Sequence, residues 1–85
     1  MLSKKNIEDE LIQILQSEFE LYSFKIEDID LEQSIFSLGM DSVDMMILIT
    51  ILEEKYEISI QSDNYDSFLT INSIIDSIYR LVEEK

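Results

Sequence analysis

The chain has 85 residues, 19 acidic against 6 basic, for a net charge of −13, and it contains neither cysteine nor histidine. Those absences remove disulfides, thiolate and imidazole metal ligands and the usual nucleophile–base pairs, while the charge argues against nucleic acid or an anionic membrane as partner. An apolar fraction of 46% is too high for a disordered acidic tail, so residues 1–85 are expected to form a single domain with a small core.

The first residues, Met1 to Asn6, lack the hydrophobic segment of a secretory signal. The longest apolar run, Met45 to Leu52 with Thr50 inside it, is eight residues, well below membrane-span length. A cytoplasmic, monomeric protein is the expectation. Ser3 or Asn6 is placed to cap a first helix. Ile7, Leu11, Ile14, Leu15, Phe19 and Tyr22 follow the spacing of one face, interrupted at Glu18, with Glu8, Asp9, Gln13, Gln16 and Glu20 opposite. That helix is expected to end near Leu21 to Ser23.

From Phe24 to Met40 no single period holds. A connection of this length is uncommon in a compact domain and usually functional. Its apolar residues Ile26, Ile29, Leu31, Ile35, Phe36 and Leu38 suggest a segment pinned across the bundle, with a short helical turn around Leu31 to Phe36 and Phe36 as the main anchor. The alternating carboxylates of Asp28, Asp30 and Glu32 invite comparison with a calcium-binding EF-hand loop. That loop needs glycine at its sixth position and glutamate at its twelfth, where this chain has Gln33 and Gly39.

A central helix is predicted from Ser42 to about Tyr56. At 100° per residue, Met45, Leu48, Ile49, Leu52 and Tyr56 share a core-facing side. Val43, Met46, Ile47, Thr50 and Ile51 lie on the other, bordered by Asp44, Glu53, Glu54 and Glu57. So short a chain has few elements with which to cover a second apolar face, so this strip is read as a partly exposed docking surface. Ile58-Ser59-Ile60 reads as an extended connection, Gln61 to Asp66 as a polar turn, and Tyr65 to Leu69 as a short third helix. Thr70 should cap the last helix, with Ile71, Ile74, Ile75, Ile78, Leu81 and Val82 inward and Ser73, Asp76, Ser77 and Arg80 facing water. Tyr79 lies off that stripe, placed to cover its edge. The expected fold class is all-α: a small four-helix bundle, three longer helices plus one short, with a long loop between the first two.

The chain's one glycine stands at the centre, in Leu38-Gly39-Met40-Asp41-Ser42-Val43-Asp44. Gly39 tolerates positive φ, and Asp41 and Ser42 are both good N-cap residues. Ser42 is thus delivered, uncovered, beside the free N–H groups of a helix start. With Ser42 as cap, its loss should cost about 1 kcal/mol.

This motif resembles the phosphopantetheine attachment site of acyl and peptidyl carrier proteins. The similarity continues through Leu52 to Ile60 and Thr70 to Asp76. The resemblance implies a non-catalytic, free-standing carrier with a 4'-phosphopantetheine arm, taken from coenzyme A, attached covalently to Ser42. It implies as partners a magnesium-dependent phosphopantetheinyl transferase, an acyl- or aminoacyl-activating ligase, and downstream synthases or transferases. By the same resemblance the docking residues are Asp41, Val43, Asp44, Met46, Ile47, Glu53 and Glu54. Ile47 stands where fatty-acid carriers commonly have an acid, which leans towards a dedicated peptidyl, aryl or polyketide pathway; the charge of −13 leans back towards fatty-acid synthesis. The rival from another class is an unmodified acidic interaction module in which Ser42 is only a cap.

Overall fold

The computed structural model describes residues 3–19, 30–60 and 68–84. Among them are three α-helices, α1 (Lys4–Glu18), α2 (Ser42–Tyr56) and α3 (Ile71–Glu83), with a 3-10 turn, Ile35–Leu38, leading into α2. None of these helices is long and apolar enough to cross a membrane.

Ser3 rather than Asn6 caps α1, its Oγ accepting the Asn6 N–H at 3.2 Å. Ile7, Leu11 and Leu15 are buried as the periodicity predicts, Ile14 is half-buried, and Ile12, not assigned to that face, is buried too. Phe19 is the C-cap; the expected end at Leu21 to Ser23, and Tyr22, lie outside the described residues. So does the part of the connection from Phe24 to Ile29.

From Asp30 the connection is tightly folded. Asp30 Oδ1 accepts the Glu32 N–H at 3.0 Å, and Asp30 O accepts the Gln33 N–H at 3.0 Å. The helical turn comes later than expected, at Ile35–Leu38, with Ser34 as its cap. Phe36 is not the main anchor: it is 42% exposed, while Ile35 is fully buried. Neighbouring side chains on a 3-10 turn point about 120° apart, so only one of the pair can enter the core. Backbone pairing decides which. Ile35 N–H donates to Leu69 O at 2.7 Å and Ser34 forms an antiparallel bridge with Thr70, and this turns Ile35 inward. Phe36→Ala is therefore expected to cost less than about 1 kcal/mol in urea unfolding; a loss of about 3 kcal/mol or more, the scale of a buried phenylalanine, would overturn that placement.

In α2, Met45, Leu48, Ile49 and Leu52 are buried and Tyr56 is half-buried. Burial, and next the hydrogen bond its hydroxyl donates to Glu10, push the Tyr56 phenol above its ordinary pKa. The helix stops at Glu57, which is left-handed (φ 53°, ψ 50°). Beyond it Ile58 to Ile60 have no regular secondary structure; Ile60 is buried, and its N–H donates to Glu53 Oε2 at 2.9 Å. The turn from Gln61 to Asp66, and Tyr65 to Ser67 of the expected short helix, lie outside the described residues. The last two residues of that stretch, Phe68 and Leu69, are not helical, and Phe68 is fully buried.

Thr70 caps α3 as predicted, in a reciprocal capping box with Ser73 at 3.0 Å each way. Ile71, Ile74, Ile75 and Ile78 are buried, with Leu81 and Val82 half-buried. Ser77 does not face water; it is 5% exposed. Following Ile74 by three residues, it shares that residue's face, where its small side chain fits. Lys4 joins α1 to α3, 3.0 Å from Asp76 and 5.5 Å from the Tyr79 ring centroid. One core results, from Ile7, Leu11 and Leu15 of α1, the buried face of α2, the isoleucines of α3, and Ile35, Met40, Ile60 and Phe68 from the connections.

Candidate functional site

The turn before α2 is built from its glycine outwards. Gly39 has φ +101° and donates its N–H to Phe36 O at 3.1 Å. An added Cβ would meet nothing within 4 Å, so glycine is needed here for its backbone conformation alone. Met40 then plugs the core at 4% exposed. Asp41, in extended conformation (φ −111°), is the N-cap: its Oδ1 accepts the Asp44 N–H at 2.9 Å, and Asp44 Oδ2 accepts the Asp41 N–H at 3.2 Å. The two carboxylates thus hold the start of α2 from both sides.

This corrects the capping role of Ser42. Ser42 is the first residue inside α2, exposed, and its hydroxyl has no hydrogen-bond partner among the described residues. Asp41 takes the cap because its carboxylate accepts the third helical N–H while the Asp44 carboxylate accepts the Asp41 N–H in return. An exposed hydroxyl, unbonded among the described residues, remains at the positive end of the helix.

On the outer side of α2, Val43, Met46 and Ile47 are 66%, 49% and 47% exposed. Thr50 is exposed, with its hydroxyl bonded back to Met46 O at 3.0 Å, and Ile51 is half-buried. Helix α2 is therefore not buried all round. Of the acidic residues predicted beside the strip, Asp41 and Glu54 are exposed and Asp44 is half-buried. Glu53 stands apart. It is half-buried, its carboxylate takes the Ile60 N–H, and its carbonyl accepts Ile58 N–H at 3.2 Å, so it fastens the exit from α2. Two further large apolar side chains among the described residues are open to solvent away from α2: Phe36, and Leu69, 49% exposed, on the segment that pairs with Ile35.

Local periodicity carries no sign of the tie between the turn and α3. Asn72 N–H donates to Leu31 O at 2.9 Å and Asn72 Nδ2 to Glu32 Oε1 at 2.6 Å. The side-chain partners are 40 residues apart, beyond the reach of any local period. A polar residue at the second position of a capped helix was the only available signal.

A family model described as the phosphopantetheine attachment site matches residues 9–78. Among solved structures, the acyl carrier protein from Thermotoga maritima superposes with a TM-score of 0.81 at 21% identity, covering 95% of this chain and 92% of that one. No curated protein matches significantly. The first finding covers the site turn and all of α2; the second speaks for the fold.

Proposed function

Because the chain belongs to the phosphopantetheine attachment-site family, non-catalytic carriers of a covalent 4'-phosphopantetheine arm, we propose that Ser42 receives the arm and that the protein carries acyl or aminoacyl intermediates in a dedicated biosynthetic pathway of peptidyl, aryl or polyketide type. The observation that carries this reading is the Ser42 hydroxyl, exposed and without a partner among the described residues, at the head of α2.

The residues at this turn fit the group. Ser42 Oγ is open to a phosphorus electrophile, and the N–H groups of the first helical turn favour a phosphodiester there. In the transfer, the Oγ–P bond forms as the pyrophosphate bond of coenzyme A breaks. Adenosine 3',5'-bisphosphate leaves, and the hydroxyl proton passes to a base on the transferase. The arm, once bound, supplies the terminal thiol that a chain without cysteine lacks. Asp41 and Asp44, each holding the other in place, offer the transferase a fixed acidic pair for its basic groups.

Val43, Met46 and Ile47 form an apolar strip next to Ser42, with Glu54 beside it. It supports docking on partner surfaces that are apolar as well as basic, and hence a dedicated pathway. The net charge of −13 favours a second reading, an acyl carrier for fatty-acid synthesis. An activating ligase would load the arm, and downstream synthases or transferases would take the cargo on.

Incubation with coenzyme A, magnesium and a broad-range phosphopantetheinyl transferase should add one phosphopantetheinyl unit to the intact mass, mapped by fragmentation to the Ser42 peptide. An unchanged mass, or a unit on another residue, sinks the assignment. Loading of the modified protein by an aryl or aminoacyl ligase supports the dedicated pathway; loading by a fatty-acyl ligase alone favours the second reading.

A further inference from the structure

The segment that ends at Ser42 is anchored at its far end by α3. Asn72 makes two contacts there, backbone to Leu31 O and side chain to Glu32 Oε1. Next along the chain, Ser34 bridges Thr70 and Ile35 N–H donates to Leu69 O. From that point local bonds continue to the serine. Ser34 Oγ accepts the Phe36 N–H at 3.3 Å, Ser34 O accepts the Ser37 N–H at 3.0 Å, and Phe36 O accepts the Gly39 N–H at 3.1 Å. Met40 is buried, and the Asp41–Asp44 box completes the run.

We propose that Asn72 and Glu32 are positioning residues for Ser42: their hydrogen bond latches residues 31–35 onto α3 and so holds the turn that presents the hydroxyl to the transferase. The inference rests on the reading that Ser42 takes the arm. Glu32 is exposed and Asn72 half-buried, so the side-chain bond adds little to global stability. Its effect is on order. A turn that keeps its backbone ties but loses this bond to α3 samples more conformers, and an enzyme that grips it must restrict them again on binding. The backbone bond from Asn72 survives truncation of the side chain, and alanine is the better helix former, so Asn72→Ala should fold.

The test is the steady-state kinetics of modification on the full chain, with coenzyme A, magnesium and a phosphopantetheinyl transferase, well below the melting temperature. Asn72→Ala changes no charge and is the cleanest variant. It and Glu32→Ala should raise the KM for the carrier about three- to tenfold, with kcat within about twofold, and should speed exchange of the hydrogen-bonded amides of Gly39 and Asp41. Glu32→Gln keeps a carbonyl acceptor for Asn72 Nδ2 and should restore the parent KM. Unchanged KM and exchange in Asn72→Ala overturn the latch. So does a Glu32→Gln as impaired as Glu32→Ala, because the charge and not the bond would then matter. If the parent protein takes no arm at all, the attachment reading itself has failed and the latch falls with it; a parent modified normally beside unaffected alanine variants removes the latch alone.

Discussion

Ser42→Ala is expected to gain no mass with coenzyme A, magnesium and a phosphopantetheinyl transferase, while melting within about 2–4 °C of the parent. The two halves of this result have separate causes. Loss of modification follows from removing the exposed hydroxyl that the turn presents at the head of α2. Retained stability follows from the division of labour between neighbours: Asp41 makes the cap and the Ser42 hydroxyl bonds to nothing among the described residues. An alanine at the first helical position removes no hydrogen bond among the described residues and leaves no buried group there unpaired. The pair of measurements, intact mass and thermal melting, therefore separates a carrier from an interaction module in which Ser42 is only a structural serine. A drop in melting temperature of about 6 °C or more would mean that the serine holds the fold. A variant still modified would mean that the arm goes elsewhere.

What the sequence made legible was what local periodicity controls. The angular reading of α2 separates Met45, Leu48, Ile49 and Leu52 from Val43, Met46 and Ile47, and burial divides along the same line. Thr70 reads as a cap because threonine directly precedes a regular isoleucine stripe, and it is one. Two of the errors fall where adjacent residues compete for one role. Ile35 and Phe36 are both apolar, and the choice between them is made by pairing with Leu69 and Thr70, far along the chain. Asp41 and Ser42 are both competent caps, and the reciprocal bond with Asp44 decides for Asp41. Glu53 looks like a surface acid by composition, yet the αL turn at Glu57 folds the chain back so that the Ile60 N–H meets its carboxylate. Periodicity says which face a residue is on. Long-range backbone pairing says what that face touches, and local spacing does not reveal it.

The opposite face of α2 gives the second large effect. Leu52→Ala should cost about 2–5 kcal/mol, read as a lower urea midpoint at unchanged slope. Leu52 is fully buried, at 0% relative exposure, within one continuous cluster that includes α1 and α3 residues. Truncation leaves a cavity that three helices would have to shift to fill. A chain of 85 residues has a total stability of only about 4–13 kcal/mol, so this single change removes a large share of it. Ile47→Ala is the matched control. It deletes an aliphatic side chain of similar size from the same helix, but from the 47% exposed side, and should stay within about 0.5 kcal/mol of the parent. If Ile47→Ala proved the more damaging, the division of α2 into a core face and an outward face would be wrong, and with it the claim that the strip beside Ser42 is free to meet an enzyme. Where Leu52→Ala is still folded, in the cold, it should accept the arm as the parent does, because the core side chain touches neither the cap nor the hydroxyl. A structural defect and a modification defect then lie on opposite sides of one helix, each obtainable without the other.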